Sequence, residues 1–259
     1  MSPTLAEIEI LAQQAGAILR AHYGTPLQIH HKTTATDLVT EVDHASEKFI
    51  LEQLRLHYPE HQIITEESGQ HGTNHAQNWY IDPLDGTVNF AHGIPIFCVS
   101  IAYAENGRVT HGVVYDPMRG ECFSAERGRG AWLNGRPIRV AHTPLLAQSL
   151  LVTGFPYDAG MVKDNNLEQY ARFAVRSQGV RRLGSAALDL CYIGAGRFDG
   201  YWELRLNSWD VAAGGLIAEE AGAQVTNIRG EPDYLSGTPS IIAANPALHA
   251  QLFAVLRGE

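Results

Sequence analysis

Trp79-Tyr80-Ile81-Asp82-Pro83-Leu84-Asp85-Gly86-Thr87-Val88-Asn89-Phe90 carries an apolar strand directly into two aspartates, a glycine and a hydroxyl. Asp82 and Asp85 stand on either side of Pro83-Leu84, and the fixed φ of Pro83 lets both carboxylates converge on one point if the chain turns there. Gly86 and Thr87 would then open a helix and offer backbone N–H groups to an anion. Holding Mg²⁺ against a phosphate needs such equipment. Asp-Pro and Asp-Gly are also ordinary turn dipeptides, so the segment alone fits a surface turn equally well.

The rest of the chain narrows the choice. Its 259 residues suffice for one large domain or two closely packed halves, and 45% hydrophobic content supplies a well-buried core. With 19 Lys and Arg against 28 Asp and Glu the formal charge is -9. No run of basic residues offers a face to nucleic acid or to an anionic membrane. The longest apolar stretches, Ile96 to Ala104 and Ser149 to Val152, are strand-sized, far below the roughly 18 residues of a membrane span. The N-terminus shows no basic-then-apolar signal pattern, so the expectation is a cytoplasmic protein. Cys98, Cys122 and Cys191 are too few and too scattered for a disulfide framework or zinc site and read as buried thiols. His30, His31, His57 and His61 lie among polar residues and read as solvated surface.

Leu5, Ile8, Leu11, Ala15, Ile18 and Leu19 recur at helical spacing, as do Ala45, Phe49, Ile50 and Leu54 after Asp43. Between them, His31 to Asp37 reads as a loop. Strands are expected over Phe97 to Ala104, Val109 to Tyr115 and Glu121 to Ser124, with hairpin turns at Asn106-Gly107 and Asn134-Gly135. From about residue 146 strands alternate with helices: strands at 149–153, 180–183, 201–204 and 240–244, helices near 167–175, 185–195, 209–221 and from Pro246 onward. The expected architecture is α+β, a layered αβαβα sandwich. Residues 1–145 form an antiparallel sheet half, residues 146–259 an α/β half, and both pack as one unit.

Further acids accompany the opening segment. Thr65-Glu66-Glu67-Ser68-Gly69 places glutamates at the end of a short strand. Trp209-Asp210-Val211-Ala212-Ala213-Gly214-Gly215 begins an otherwise apolar helix with a carboxylate, which also suits the helix dipole. Gly184-Ser185-Ala186-Ala187 is another helix start, for which capping by Ser185 is an equal explanation. Taken with Asp37-Leu38-Val39-Thr40-Glu41-Val42-Asp43, these segments resemble, in order and spacing from about Lys32 to Gly222, the motifs of the inositol monophosphatase family of metal-dependent sugar-phosphate phosphatases.

The resemblance implies that Glu66, Asp82 and the carbonyl of Leu84 bind a first Mg²⁺, and Asp82, Asp85 and Asp210 a second. A third, weaker ion near Glu66 would bring the total to two or three, with Mn²⁺ as a substitute. Thr87, bonded to Asp43, would join Glu66 in activating the attacking water. Gly86 and Thr87 would hold the phosphate, while Asp85, Ser185, Ala186 and Glu203 would contact substrate hydroxyls, and Lys32 would approach the metals from a mobile loop. It also implies a homodimer and inhibition by lithium.

Chemistry supports these roles separately. A phosphate monoester dianion repels hydroxide, so its hydrolysis needs charge neutralisation, a generated nucleophile and a stabilised leaving alkoxide. An all-oxygen ligand set suits Mg²⁺ rather than zinc. Neither a Cys-x5-Arg loop nor an N-terminal Asp-x-Asp is present, which favours direct attack by metal-activated water over a covalent phospho-enzyme. The expected substrate is myo-inositol 1-phosphate with related polyol phosphates. Fructose 1,6-bisphosphate and histidinol phosphate are alternatives at the same site, and a non-catalytic, metal-dependent regulatory protein is the alternative of another class. Arg181-Arg182 reads as a solvated pair or a subunit contact.

Overall fold

The computed structural model describes residues 2–32, 34 and 36–259. Helices α1 (Leu5–His22) and α2 (Glu41–His57) flank a small hairpin of β1 (Ile29–His31) and β2 (Leu38–Thr40). Both helices start on a threonine, Thr4 or Thr40, whose side chain accepts a backbone N–H while an acid three residues on bonds back. The loop expected over 31–37 is therefore the tip of a hairpin, although Thr33 and Ala35 lie outside the described residues.

A first sheet follows, from β3 (His61–Thr65), β4 (Gly69–His71) and β5 (Asn74–Asp85), through short helix α3 (Thr87–Ala91), to β6 (Cys98–Glu105), β7 (Arg108–Asp116), β8 (Glu121–Glu126), β9 (Gly130–Leu133) and β10 (Arg136–Pro137). Its eight strands run β10-β9-β8-β7-β6-β5-β3-β4 and form an antiparallel meander except where β3 joins β5 in parallel. Asn106 and Asn134 take positive φ at the turns where Asn-Gly dipeptides predict hairpins.

The second sheet contains β11 (Leu150–Thr153), β12 (Gly179–Arg181), β13 (Gly200–Glu203), β14 (Gln224–Thr226) and β15 (Ile241–Ala244), ordered β12-β11-β13-β15-β14 with parallel and antiparallel pairs. Interleaved with it are α4 (Leu167–Ala174), α5 (Ala186–Gly194), α6 (Ser208–Glu220) and α7 (Pro246–Leu256).

Packing stacks these elements in layers. Helices α1 and α2 cover one face of the first sheet, α5 and α6 pack between the two sheets, and α4 with α7 cover the far side of the second. The fold is α+β, in the expected αβαβα order. Its central helices are apolar all round because each face meets a sheet: Leu188, Leu190, Cys191, Ile193, Ala213, Leu216 and Ile217 are fully buried. Charged side chains are rare in such helices, which makes Asp189 and Asp210 conspicuous.

One sequence expectation changes here. His61 is buried rather than solvated, because it stacks on Tyr58 and Tyr103 and accepts the Trp79 indole N–H at 3.1 Å. The three cysteines are buried and free, as read.

Candidate active site

The opening segment folds as the end of β5. Pairing with β6 shifts register between Asp82 and Asp85, so the chain carries an extra residue where Pro83 lacks an N–H to donate. Asp82 Oδ1 accepts the Leu84 N–H at 3.0 Å, which fixes the turn. Gly86 follows at φ 98°, and a Cβ there would lie 2.8 Å from the Ile96 carbonyl oxygen. Only glycine fits, and α3 starts immediately after it. Asn89 then donates to the Ile96 and Leu183 carbonyls at 2.8 Å each, tying α3 to the loop before Ser185.

Other elements complete the site. Glu66 follows β3, and its N–H bonds the Ile81 carbonyl of β5 at 3.3 Å. Asp210 sits in the first turn of α6 and accepts the Asn207 N–H at 2.6 Å. Glu66, Asp82, Leu84, Asp85, Gly86, Thr87 and Asp210 all line one cavity of about 660 Å³. Asp43 lies behind it in the first turn of α2, holding the Thr40 N–H at 2.8 Å and hydroxyl at 2.6 Å on Oδ2. The Thr87 hydroxyl lies 3.0 Å from both Asp43 Oδ1 and the Leu84 carbonyl.

So many acids in one place repel each other. Burial, reinforced by Glu66, Asp85 and Asp210, pushes Asp82 well above the usual carboxylate range. Asp210 moves the same way through burial and Glu66, against the Asn207 bond. Burial lifts Asp85 to about 6, opposed by the Ser185 hydroxyl at 2.6 Å and the Ala187 N–H at 2.8 Å. Asp43 is also raised by burial, with Thr40 and Thr87 pulling the other way. Lys32 supplies a counter-charge, its ammonium meeting Glu66 Oε1 at 2.8 Å and Glu67 Oε1 at 2.5 Å. Burial would lower that ammonium, but the two glutamates outweigh it and hold the charge firmly.

Among the described residues, no three acid, imidazole or thiol groups close into a ready coordination cage. The donors fit a hard divalent cation: the buried carboxylates of Asp82 and Asp85, the half-buried ones of Glu66 and Asp210 and a backbone carbonyl, without imidazole or thiolate, around a shared cavity that wants positive charge.

The opposite wall comes from the second half of the chain. Ser185, Ala186 and Glu203 line the same cavity. The Ser185 hydroxyl, however, is engaged by Asp85, which makes it a support for that carboxylate. Glu203 is buried at the end of β13, not an edge acid, and takes the Tyr201 hydroxyl at 2.6 Å. Burial raises it to about 7, although Tyr201 and Arg182 pull it down. Its room is made by Gly154, where a Cβ would sit 2.1 Å from Glu203 Oε2.

Some lining residues escape a reading of the sequence. Arg182 and Tyr157 line the cavity while staying exposed to solvent, Asp189 lines it buried, and Arg205 lines it paired with Asp158 at 2.9 Å. An acid inside the apolar run Ala186 to Ile193 was the available signal for Asp189.

Comparison with known proteins agrees with this geometry. The family model described as "Inositol monophosphatase family" matches residues 1–259. An inositol-1-monophosphatase of Synechocystis is 47% identical over 93% of this chain and 84% of its own length. A protein named Nus factor SuhB, from Salmonella typhimurium, is 42% identical over 100% of this chain and 97% of its own. Among solved structures, the inositol monophosphatase of Anabaena (Nostoc) superposes with a TM-score of 0.89 at 43% identity, covering 98% of this chain and 95% of that one. With the family model matching the whole chain, and these relatives sharing its fold over nearly all of its length, the chain belongs to the inositol monophosphatase family.

Proposed function

We propose that this protein is a Mg²⁺-dependent phosphate monoester hydrolase acting on myo-inositol 1-phosphate and related polyol phosphates. The observation that carries the reading is the convergence of Glu66 after β3, Asp82 and Asp85 at the end of β5, and Asp210 on α6 on one cavity. Glu66, Asp82 and the Leu84 carbonyl would hold one cation, and Asp82, Asp85 and Asp210 another. When bound, such ions neutralise phosphate charge and ease deprotonation of water.

The chain's own groups do the rest. The N–H groups of Gly86 and Thr87, at the start of α3, face no intrahelical acceptor and would hold the phosphate oxygens. Thr87 and Glu66 would orient the attacking water, with Asp43 fixing the Thr87 hydroxyl. Glu203 and Ala186 would face the hydroxyls of the departing alcohol. Lys32 occupies Glu66 Oε1, so a cation would take the other carboxylate oxygen or displace the ammonium.

The Salmonella relative's name favours a second reading, in which the same fold serves as a regulatory factor. One assay separates them: phosphate release from inositol 1-phosphate, fructose 1,6-bisphosphate, histidinol phosphate and adenosine 3′,5′-bisphosphate, with and without Mg²⁺. Release from the inositol ester that requires Mg²⁺ supports the hydrolase. No metal-dependent release from any ester would leave the regulatory reading.

A further inference from the structure

Asp189 is the acid that the proposed reaction does not use. It lies on α5 one turn beyond Ser185, is 1% exposed and lines the cavity, yet its Oδ1 has no hydrogen-bond partner. An orphaned buried acceptor costs folding stability and asks for an explanation. A partner from outside the chain provides one.

We propose that Asp189 is a specificity-determining residue whose free Oδ1 accepts a hydrogen bond from a hydroxyl of the departing polyol, on a cavity wall shared with Glu203 and Arg182. The inference rests on the phosphatase reading above and extends it. The neighbouring charges decide which ligand chemistry fits. Glu203 and Arg182 both lie close enough to act on Asp189. An ammonium group would be drawn to the acids but repelled by Arg182, whereas a hydroxyl can donate to a carboxyl group and accept from a guanidinium. Burial, with Glu203 and Asp85 adding to it, raises Asp189 well above its usual range. A hydroxyl suits that group charged or neutral, and an ammonium needs it charged. Polyol phosphates should therefore be preferred to amino-alcohol phosphates.

The test compares wild type, Asp189→Leu and Asp189→Asn, with Mg²⁺, on myo-inositol 1-phosphate and on phenyl phosphate, which has no other hydroxyl. Asp189→Leu should lower kcat/KM for the inositol ester about tenfold, mainly through KM, and leave phenyl phosphate within about twofold. Asp189→Asn, which keeps an acceptor oxygen, should recover most of the loss. The melting temperature of Asp189→Leu should not fall, because no internal bond is removed. Equal losses on both esters, no loss on either, or a leucine variant that melts early or does not fold would show a packing role and overturn the proposal. If wild type itself hydrolyses phenyl phosphate but not the inositol ester, the polyol reading fails and takes this inference with it. Failure confined to the variants sinks Asp189 alone.

Discussion

Lys32 and Glu66 are joined at 2.8 Å, so a side chain from the β1–β2 hairpin balances part of the charge of the acidic cavity. A divalent cation bound as proposed would compete with this ammonium for the same carboxylate. Replacing Lys32 with Met should lower the Mg²⁺ concentration needed for half-maximal thermal stabilisation several-fold, while the metal-free protein melts earlier. A weaker response to Mg²⁺ would mean that Lys32 helps to hold the ion rather than displacing it.

Asp82 is proposed to serve both cations. Asp82→Asn should bring phosphate release from every ester down to the level of the metal-free control. Substantial residual turnover would overturn the metal assignment. Because Asp82 is 3% exposed and disfavoured as a charge among the neighbouring acids, the variant should fold at least as stably in EDTA.

Asp43 reaches the reaction only through Thr87, whose hydroxyl lies 3.0 Å from it. Thr87→Val should reduce kcat by roughly 10²–10⁴-fold with little change in KM. Asp43→Asn should lose less activity but more stability, since Asp43 also accepts two bonds from Thr40 at the start of α2. Steady-state kinetics beside a melting curve separates the two effects.

Glu203 makes the metal-free protein sensitive to pH. Its folded-state value of about 7 lies above the ordinary 4.5, so the folded form binds the proton more tightly than the unfolded chain. That contribution to stability is complete below about pH 4.5 and disappears as the pH passes 7, a loss on the order of 3 kcal/mol at most. Asp85, at about 6, acts in the same direction. Melting temperature in EDTA should fall between pH 5.5 and 8, and Glu203→Gln should flatten the slope. The same variant should raise KM for inositol 1-phosphate and spare phenyl phosphate. An unchanged slope would mean that Glu203 gains its proton no more easily in the fold than in the open chain.

The family resemblance also leads to the expectation of a homodimer. Light scattering during size exclusion should return about twice the mass of the 28.4 kDa chain. A monomer at micromolar concentration would remove that expectation.

Local chemistry made part of the site readable. Asp82, Asp85 and Gly86 sit within a few residues, and the rigid proline and the glycine between strand and helix already specify a turn that points acids one way. The hairpins were legible for the same reason, since Asn106 and Asn134 carry their own turn preference. What depended on distant partners was not. The parallel pairing of β3 with β5, the short strand β14 and the burial of His61 between aromatic rings arise from tertiary packing that no local spacing encodes. Arg182 and Asp189 fall in the same class. That the exposed Arg182 borders a cavity shows only once the sheets are assembled, and a lone acid in an apolar helix means little until the helix proves to be enclosed.

The placement of α6 between the sheets has a consequence for the life history of the chain. Its first turn carries Asp210, while Glu66, Asp82 and Asp85 belong to the first sheet. A nascent or damaged molecule that has built only that sheet holds three of the four acids and no wall for the alcohol. On the proposed assignment, turnover would certify complete assembly, since a chain that has built only the first sheet lacks Asp210 and could not gather the full charge cluster.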